Sequence, residues 1–409
     1  MKKLLIIAFV WPECSSAAGN RMMQLLEFFL EQHYKITIAS TASESELSID
    51  FDNLGITKSS IQLNHNSFDT FVKEVNPDVV LFDRFLTEEQ FGWRVATHAP
   101  KALRILDTED LHSLRQTREK NFKARIPFTT NLWLQNDITK REIASIYRSD
   151  LSLIISTFEM ELLKNVVGMD EKLLLHIPFM LNKITLQDIE NWPSFEMRRD
   201  FLFMGNGKHT PNIDAIVWLK KEIWPLIRKA LPKVNLNVYG AYLPEHIKQM
   251  HNPKQGFFVN GWGENKIEIF QNSRINLAPL RFGAGIKGKL IDAMQMGTPS
   301  ITTVIGAEGM NANLEWCGTI AESAESFAQV ATALYKDEKK WQQGQKRGIS
   351  IINKLYYNKK LSAKFLKEIQ HLESNLITHR IQNFIGAMLQ HQTMSSTKFM
   401  SKWIESKQL

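Results

Sequence analysis

The stretch that decides the fold is PLRFGAGIKGKLIDAM, residues 279–294, in which a glycine-rich segment joins two regular elements. RINLAPL (274–280) is apolar and predicts a buried strand, and GKLIDAMQMG (288–297) has the periodicity of a short helix. RFGAGIK (281–287) therefore follows the carboxyl end of a strand, where open parallel sheets bind ligands. Glycines let backbone amides approach a phosphate, and the helix amino end adds partial positive charge. These features predict an anion-binding loop.

One alternative for this loop is a nucleotide-triphosphatase P-loop, because GAGIKGKL (283–290) falls one residue short of G-x-x-x-x-G-K-[ST]. Leu290 stands where a magnesium-binding hydroxyl belongs, and the loop lies deep in the second half of the chain. The only Walker-B-like run, VVLFD ending at Asp83, falls in a different predicted domain. These departures leave two interpretations, a different diphosphate-binding loop or a structural glycine turn.

Length and composition predict two domains and a reducing compartment. The chain has 409 residues, 44% of them hydrophobic, which suffices for two ordinary cores. A net charge of +7 favours anionic ligands or surfaces without choosing among them. Cys14 and Cys317 are far apart and form no C-x-x-C pair, which argues against a disulfide framework or a zinc site. We expect a cytoplasmic protein whose first apolar run is a buried strand rather than an export signal.

Apolar runs alternate with amphipathic helical segments along most of the chain. KLLIIAFV (3–10), KITIAS (35–40) and DVVLFD (78–83) are the largely apolar runs expected of strands covered on both faces. This alternation predicts parallel, doubly wound sheets of an α/β protein. The pattern pauses at the polar stretch NWPSFEMRRD (191–200) and then restarts. The chain is therefore predicted to form two successive α/β domains.

The predicted organisation is a Rossmann-like domain over residues 1–196, a second over 197–355, and helices over 356–409. In the last segment apolar residues recur at helical spacing, namely Ile381, Phe384, Ile385, Met388 and Leu389. A break at TMSST (393–397) precedes a short helix carrying Phe399, Met400, Trp403 and Ile404. We expect these helices to return and pack onto the first domain. Contact with a partner or a membrane is the alternative, because basic residues flank the aromatic ones.

A second candidate site is DTEDLHSLR (107–115), which follows the strand ALRIL at another predicted carboxyl edge. Glu109, Asp110 and His112 crowd a small space, and such clusters shift one another's pKa values. Helix capping is an equal alternative, since acidic side chains favour the first turn of a helix. RQTREKNFKAR (115–125) adds five basic residues, read either as a solvated face or as a contact for an anionic acceptor or membrane. It lacks the interleaved aromatic residues of nucleic-acid binding.

PLRFGAGIKGKLIDAMQMGTPSITTVIGAEGM (279–310) resembles the donor-site segment of retaining family 4 glycosyltransferases, which read P-L-x-x-G-x-G-x-K, then an acid, A-M, a glycine and P-V-V. FLFMGNGKHTPNIDAIVWL (201–219) is similar to the opening of their second domain. The resemblance covers residues 1–355 and implies the GT-B fold, with two Rossmann-like domains facing across a cleft and C-terminal helices. It also implies transfer of a sugar from a nucleotide-diphosphate sugar to an acceptor hydroxyl, with retention of configuration and without a metal or other cofactor.

The resemblance carries specific positions over to this chain. The second-domain residues implied to face the donor are Gly205, Lys208, His209, Gly285, Lys287, Gly288, Lys289 and Asp292. Gly19 in SSAAGNR matches the flexible glycine loop of the first domain, and Glu109, Asp110 or His112 would act beside the donor sugar. Asp292 matches the second acid of the family's acid–x7–acid motif, which holds the ribose. Ala284 stands at the first, so a carboxylate that normally touches the donor sugar is missing.

The function implied is synthesis of a cell-surface glycan or glycoconjugate. The donor would be a nucleotide-sugar and the acceptor a saccharide, a lipid-linked saccharide or a protein, with no nucleic-acid partner. The enzyme would be cytoplasmic, at or near the inner face of the membrane. Because of Ala284, the competing hypothesis is a non-catalytic sugar-nucleotide-binding or scaffold protein of the same fold. A nucleotide-sugar epimerase is a third option, but the sequence shows no recognisable paired-acid and histidine set for it.

Overall fold

A computed structural model describes residues 1–391, 396, 399–400, 403 and 407. The strands of this part of the chain are β1 (Lys3–Ala8), β2 (Lys35–Ser40), β3 (Thr57–Ser60), β4 (Val79–Asp83), β5 (Leu103–Asp107), β6 (Leu151–Ile154), β7 (Leu174–His176), β8 (Arg199–Met204), β9 (Leu236–Tyr239), β10 (Phe257–Gly261), β11 (Ser273–Ala278), β12 (Ser300–Thr302) and β13 (Gly318–Ile320).

The α-helices of the first half are α1 (Ala17–Glu31), α2 (Ser67–Val75), α3 (Arg84–His98), α4 (His112–Ala124), α5 (Thr130–Gln135), α6 (Asp137–Arg148), α7 (Thr157–Glu161) and α8 (Leu186–Glu190). Those of the second half are α9 (Thr210–Trp218), α10 (Trp224–Ala230), α11 (Glu245–Lys248), α12 (Lys266–Asn272), α13 (Gly288–Gln295), α14 (Val304–Ala307), α15 (Ala324–Lys336), α16 (Glu338–Leu355), α17 (Asn358–Gln382) and α18 (Phe384–His391). Short 3-10 and π-helical turns join some of them.

The first domain is a seven-stranded parallel sheet in the order β3-β2-β1-β4-β5-β6-β7. The opening apolar run supplies β1 near its centre, where Leu4 to Ile7 are fully buried. Apolar side chains of these strands pack into two clusters, as expected of a sheet covered by helices on both faces. The register sets Asp83 beside Asp107, so the ends of β4 and β5 coincide. The predicted doubly wound sheet is confirmed.

The second domain repeats this plan with a six-stranded parallel sheet in the order β10-β9-β8-β11-β12-β13. The edge strands β3, β7 and β13 were not anticipated, because TKSS, LLH and GTI are too short or polar to carry a strand pattern. The pattern of buried residues also changes along the helical stretch that follows β8. A π-helical segment (Leu219–Ile223) shifts the buried face, so Ile227 is buried and Leu226 is 39% exposed.

The C-terminal helices separate into a packed part and an exposed part. Leu361, Phe365, Ile369 and Leu372 of α17 join the core of the first domain, and the ring centroids of Phe365 and Phe28 lie 4.6 Å apart. Beyond the kink at Asn375 the packing changes. The helices still return to the first domain as expected, because the Asn383 side chain donates to the Tyr147 carbonyl at 2.7 Å and Arg380 donates to the Asp150 carboxylate at 2.7 Å. The apolar residues of this part nevertheless stay largely exposed, namely Ile381, Phe384, Ile385 and Met388.

Other C-terminal predictions and the domain limits are not decided by this architecture. Residues 393–395, Thr397 and Ile404, from the predicted break and last helix, lie outside the described residues. The limits 1–196, 197–355 and 356–409 stay predictions, while the two sheets span residues 3–176 and 199–320. Among the described residues no helix has the length and apolar character needed to cross a bilayer.

Candidate active site

Loops at the carboxyl ends of both sheets meet in one interdomain cleft. The Gly285 amide after β11 donates to the Glu159 carboxylate after β6, with an N–O distance of 2.9 Å. The Tyr242 hydroxyl after β9 donates to the Glu13 carboxylate after β1 at 3.1 Å. The predicted donor loop and the acidic loop of the first domain are therefore brought together, as the rule for open parallel sheets requires.

The glycine loop is held closely against the first domain. Gly285 adopts the left-handed conformation (φ 62°), and a Cβ there would lie 2.8 Å from the Asp110 Cβ, so only glycine fits. Its amide, predicted to face a diphosphate, is instead bound to Glu159. Ala284 packs among apolar side chains of the first domain. A carboxylate at position 284 would be buried there, which explains physically why the acid is absent.

Two helix amino ends meet beside this loop. α13 begins at Gly288, and a Cβ on that residue would lie 2.8 Å from the Cβ of Ala17, the first residue of α1. The amides of Gly288 and Lys289 have no hydrogen-bond acceptor within the part of the chain that the structure describes. Each helix amino end carries partial positive charge, so the pair forms an electrostatic setting suited to a diphosphate.

The two lysines of the loop are buried and held by internal bonds. The Lys287 ammonium donates to the Gly285 carbonyl at 2.7 Å, and burial lowers its pKa to about 8. The Lys289 ammonium donates to the Asn212 side-chain carbonyl and lies 4.6 Å from the centroid of the Phe203 ring. Burial, followed by repulsion from Lys287, lowers the pKa of Lys289 to about 7. An approaching anion would favour the charged form of both amines.

The loop after β8 lies on another side of the cleft. A Cβ on Gly205 would lie 2.7 Å from the Asn212 side chain, so this glycine allows close packing. Lys208 is exposed, and its ammonium lies 4.0 Å from the Glu13 carboxylate and 3.5 Å from the centroid of the Tyr242 ring. His209 precedes α9, and burial lowers the pKa of its imidazole to about 4. A neutral His209 can donate or accept a hydrogen bond at neutral pH.

Two predicted residues have structural partners that were not anticipated. Asp292 accepts from the Lys266 ammonium at 2.7 Å, and burial raises the pKa of its carboxyl despite that lysine. Gly19 lies inside α1 rather than in a flexible loop, because Ser16 already caps the helix. A Cβ on Gly19 would lie 2.0 Å from the Glu13 carbonyl oxygen. The predicted flexibility of Gly19 is thus wrong, and its role here is close packing of α1 under the 13–16 turn.

The acidic loop holds a carboxyl in an unusual environment. Glu109 has a left-handed backbone (φ 61°), which is uncommon outside glycine and clusters at functional sites. Its Oε1 atom is buried without a hydrogen-bond partner among the described residues. Burial, reinforced by the nearby Asp107 and Asp83 carboxylates, raises the pKa of Glu109 well above its usual range. Protonation of Glu109 is therefore favoured relative to an ordinary exposed glutamate.

The pKa of the neighbouring Asp110 carboxyl is shifted in the opposite direction. Burial would raise the pKa of Asp110, but the Arg115 guanidinium at 2.7 Å and nearby His112 outweigh it and hold that pKa well below the usual range. Burial also lowers the pKa of His112 to about 4, so its imidazole is neutral at physiological pH. The helix that follows is anchored by the Glu142 carboxylate, which accepts from the His112 and Ser113 amides. The predicted capping by the segment's own acidic residues is wrong, because α4 begins at His112 and has no acidic residue in its first turn.

Two charged residues of the cleft, Arg84 and Glu159, escaped sequence reasoning. Arg84 follows β4 with a left-handed backbone (φ 69°), and its guanidinium lies 5.2 Å from the centroid of the Phe9 ring. Glu159 accepts from both the Leu111 and Gly285 amides, and burial raises its pKa to about 8. The position of Arg84 just after a predicted strand was an available signal. Glu159 gave no such signal, because its partner Gly285 lies in the other domain.

The basic run 115–125 is chiefly a domain interface. Arg118 donates to the Gly283 carbonyl at 2.9 Å and to the Glu308 carboxylate at 2.6 Å. The Phe122 and Phe282 rings lie 5.3 Å apart, and the Thr210 hydroxyl donates to Glu119 at 2.8 Å. These residues of α4 contact the second domain. They form neither the solvated face nor the anion-binding surface that the sequence predicted.

The fold and cleft define a class of protein that comparison with known families identifies. Residues 198–337, which include both second-domain loops, match the sequence model of the family described as "Glycosyl transferases group 1". This match covers most of the second domain and confirms the resemblance of residues 279–310 to glycosyltransferases. The GT-B prediction is confirmed by solved structures with the same two-domain architecture.

Particular relatives are distant in sequence. A Klebsiella pneumoniae protein described as "Uncharacterized 44.6 kDa protein in cps region" is 22% identical over 299 residues, spanning 70% of this chain and 74% of that protein. Sucrose-phosphate synthase from Thermosynechococcus elongatus superposes with a TM-score of 0.68 at 14% identity, over 91% of this chain and 100% of that one. Anabaena Alr3699/HepE, solved with UDP-glucose, gives a TM-score of 0.64 at 11% identity over the same shares.

Proposed function

We propose that this protein transfers a sugar from a nucleotide-diphosphate sugar to an acceptor hydroxyl with retention of anomeric configuration. The observation that carries the proposal is the meeting of the amino ends of α1 and α13 beside Lys287 and Lys289. This arrangement suits a diphosphate leaving group, because helix ends and ammonium groups neutralise the charge that develops as the bond breaks. The GT-B protein HepE, solved with UDP-glucose, supports the class of donor.

The residues of the acidic loop suit the other half of the reaction. Asp110 is ionised and Glu109 is protonated, so the two neighbouring side chains can play different parts in the reaction. Asp110 would stabilise positive charge on the sugar, and Glu109 would donate a hydrogen bond to a substrate oxygen. His209 and His112 are neutral partners for hydroxyl groups. Contact between the domains excludes water from the reacting centre. No metal is part of this mechanism, because the lysines and helix ends supply the positive charge.

The biological setting proposed is cell-surface polysaccharide or glycoconjugate synthesis at the inner face of the membrane. The Klebsiella relative encoded in a cps region supports this setting. The proposed acceptor is a saccharide, a lipid-linked saccharide or a protein. It would bind to the first domain, whose strand ends face the cleft. We also propose that Lys208 contacts the diphosphate and that Asp292 contacts the ribose. Each would have to leave its present partner to bind the donor.

A sugar-nucleotide-binding protein without turnover is the second candidate. It is favoured by Ala284, which is packed among apolar residues of the first domain and cannot grip a sugar hydroxyl. It is also favoured by the Gly285 amide, which is already bound to Glu159. Thermal-shift screening of nucleotide-sugars, followed by product analysis, separates the two, since binding raises the melting temperature whether or not turnover follows.

The sharpest test of the transferase proposal replaces the charged groups of the donor loop. Lys287→Ala with Lys289→Ala should lower the transfer rate by roughly 100-fold or more, the scale for losing preorganised groups that stabilise a leaving oxyanion. The matched control is Lys229→Ala with Lys233→Ala, two exposed lysines of the same domain. Radiolabelled-sugar transfer and circular dichroism measure activity and folding. Unchanged turnover in a folded donor-loop variant would remove the diphosphate assignment.

A further inference from the structure

A second cleft, of about 380 Å³, lies where the chain crosses between the domains. Its walls come from His176 and Pro178 after β7, from Gly309 and Met310 after α14, and from the residues around the start of α17. This hinge cleft is large enough for a small organic ligand. None of its lining residues belongs to the donor loop 283–289. It is therefore distinct from the site proposed for the nucleotide-sugar.

The charged residues that line the hinge cleft are cations. Lys354, Lys360 and Lys364 line it, and none of them makes an ion pair with a carboxylate among the residues that the structure describes. Lys360 and Lys364 stand four residues apart on α17, where like charges repel. The Lys364 ammonium donates to the His176 carbonyl at 3.2 Å, which keeps it against the cleft wall.

The surroundings of Lys364 confirm that positive charge is unfavourable there. Burial lowers its pKa, Glu368 raises it and Lys360 lowers it further, with a net decrease. Burial, followed by repulsion from Lys364, lowers the pKa of His176 to about 4. The lining of the cleft includes no carboxylate to offset this repulsion. An anionic ligand would relieve it.

The floor of the hinge cleft is apolar. Pro178, Met310, Leu355 and Leu361 contribute hydrocarbon surface. Tyr356 is buried, and its hydroxyl donates to the Met310 carbonyl at 2.8 Å, so the ring offers an apolar face. A cationic rim above an apolar floor matches a ligand with an anionic head and an apolar body, because each part then meets its complement.

We propose that the hinge cleft binds a phosphate or diphosphate group, whose ligand presents an apolar body to the floor. The charged head lies between Lys354, Lys360 and Lys364, which act as point charges toward phosphate oxygens. Because the walls belong to both domains and to the helix that joins them, the bound ligand contacts both domains at once. An isoprenoid diphosphate and a free phosphate share the chemistry of the head.

The test measures ligand affinity in the full chain carrying Lys287→Ala and Lys289→Ala, which weakens anion binding at the donor loop equally in every variant compared. Geranyl diphosphate and inorganic pyrophosphate are titrated calorimetrically at matched ionic strength. Adding Lys360→Gln and Lys364→Gln should weaken binding by about tenfold or more, the scale for losing hydrogen bonds to a charged group. Adding Lys359→Gln and Lys367→Gln instead is the control. These lysines are exposed on the same helix, do not line the cleft, and carry the same charge.

Equal affinities in the cleft variant and the control would overturn the proposal, as would the absence of binding by either probe. Lysine-dependent binding that is tighter for geranyl diphosphate supports it and identifies an amphipathic source. Lysine-dependent binding of equal strength for both probes would overturn the proposed apolar contact, because the hydrocarbon body would then add nothing to the affinity. The outcome is independent of sugar transfer, because the transferase test concerns lysines of the other cleft.

Discussion

Glu109 and Asp110 show that neighbouring residues of one type can have opposite charge states. Asp110 is paired with Arg115 and ionised, whereas Glu109 has a buried oxygen without a partner in the described structure. The left-handed backbone at Glu109 directs the two side chains into different environments. The sequence identified the pair as candidates, but it could not divide the roles, because the division depends on burial and on which arginine lies nearby.

The raised pKa of Glu109 predicts a pH dependence of stability. Its unfolded-state pKa is about 4.3, so above that pH the native state retains a proton that the unfolded state has released. The free energy of unfolding should therefore decrease as pH rises from there to the folded-state pKa. Glu109→Gln, which mimics the neutral acid, should flatten this decrease. Denaturant-induced unfolding at several pH values between about 5 and 8 measures the free energy of unfolding.

The control for that measurement is Glu190→Gln, which replaces an exposed carboxylate and should keep the wild-type slope. If Glu109→Gln and the wild type lose stability equally with pH, Glu109 is ionised in the native state. Transfer assays on the same variant report separately on its proposed part in the reaction. A fall in rate without loss of stability would support that part.

Helix α17 illustrates how one helix can serve two environments. Its first half supplies Phe365 to the core of the first domain, stacked on Phe28. After the kink at Asn375 its remaining turns, and then α18, leave their apolar side chains largely exposed. Helical spacing of apolar residues predicts the helices correctly in both halves. It does not show which face finds a partner, because that depends on the direction the helix takes after the kink.

Matched truncations test this division of the C-terminal helices. Phe365→Ala should lower the free energy of unfolding by about 3–5 kcal/mol, because it leaves a cavity in the core. Phe384→Ala removes the same atoms from a side chain that is 68% exposed and should change stability by less than about 0.5 kcal/mol. Urea denaturation monitored by circular dichroism measures both. A loss of comparable size in Phe384→Ala would mean that the Phe384 ring is buried in solution.

The two domains are joined across the cleft by buried charged contacts. Arg118 binds both the Gly283 carbonyl and the Glu308 carboxylate of the second domain. Glu159 binds the Gly285 amide. Both contacts hold the glycine loop, so the position of the donor loop and the arrangement of the domains are coupled. Opening of the cleft requires these bonds to break together.

Arg118→Ala should loosen this arrangement. It leaves the Glu308 carboxylate without its partner, and breaking a buried pair costs about 3–5 kcal/mol. We expect a larger radius of gyration in small-angle scattering and weaker donor binding. Lys120→Ala, at an exposed position on the same helix, is the control and should leave both unchanged. A scattering curve identical to that of the wild type would show that other contacts determine the domain arrangement.

Much of the fold was predictable because its determinants are local in the chain. Unbroken apolar runs indicated the central strands, and the strand–glycine–helix order at 274–297 indicated the ligand edge. The short edge strands β3, β7 and β13 were not predictable, since three or four residues carry no period. The π-helical segment was missed for a related reason, because one extra residue per turn changes the buried face without altering composition.

The sequence by itself determined two parallel sheets, a glycine-rich loop between β11 and α13, and an acidic loop after β5. Each depends on residue types at fixed short spacings. Only the tertiary structure decided that Glu159 binds the Gly285 amide, that Arg118 joins the domains, and that three lysines line a hinge cleft. The partners of Glu159 and Arg118 stand 126 and 190 residues away. Such contacts arise when two separately folded domains dock, and no local periodicity encodes that docking.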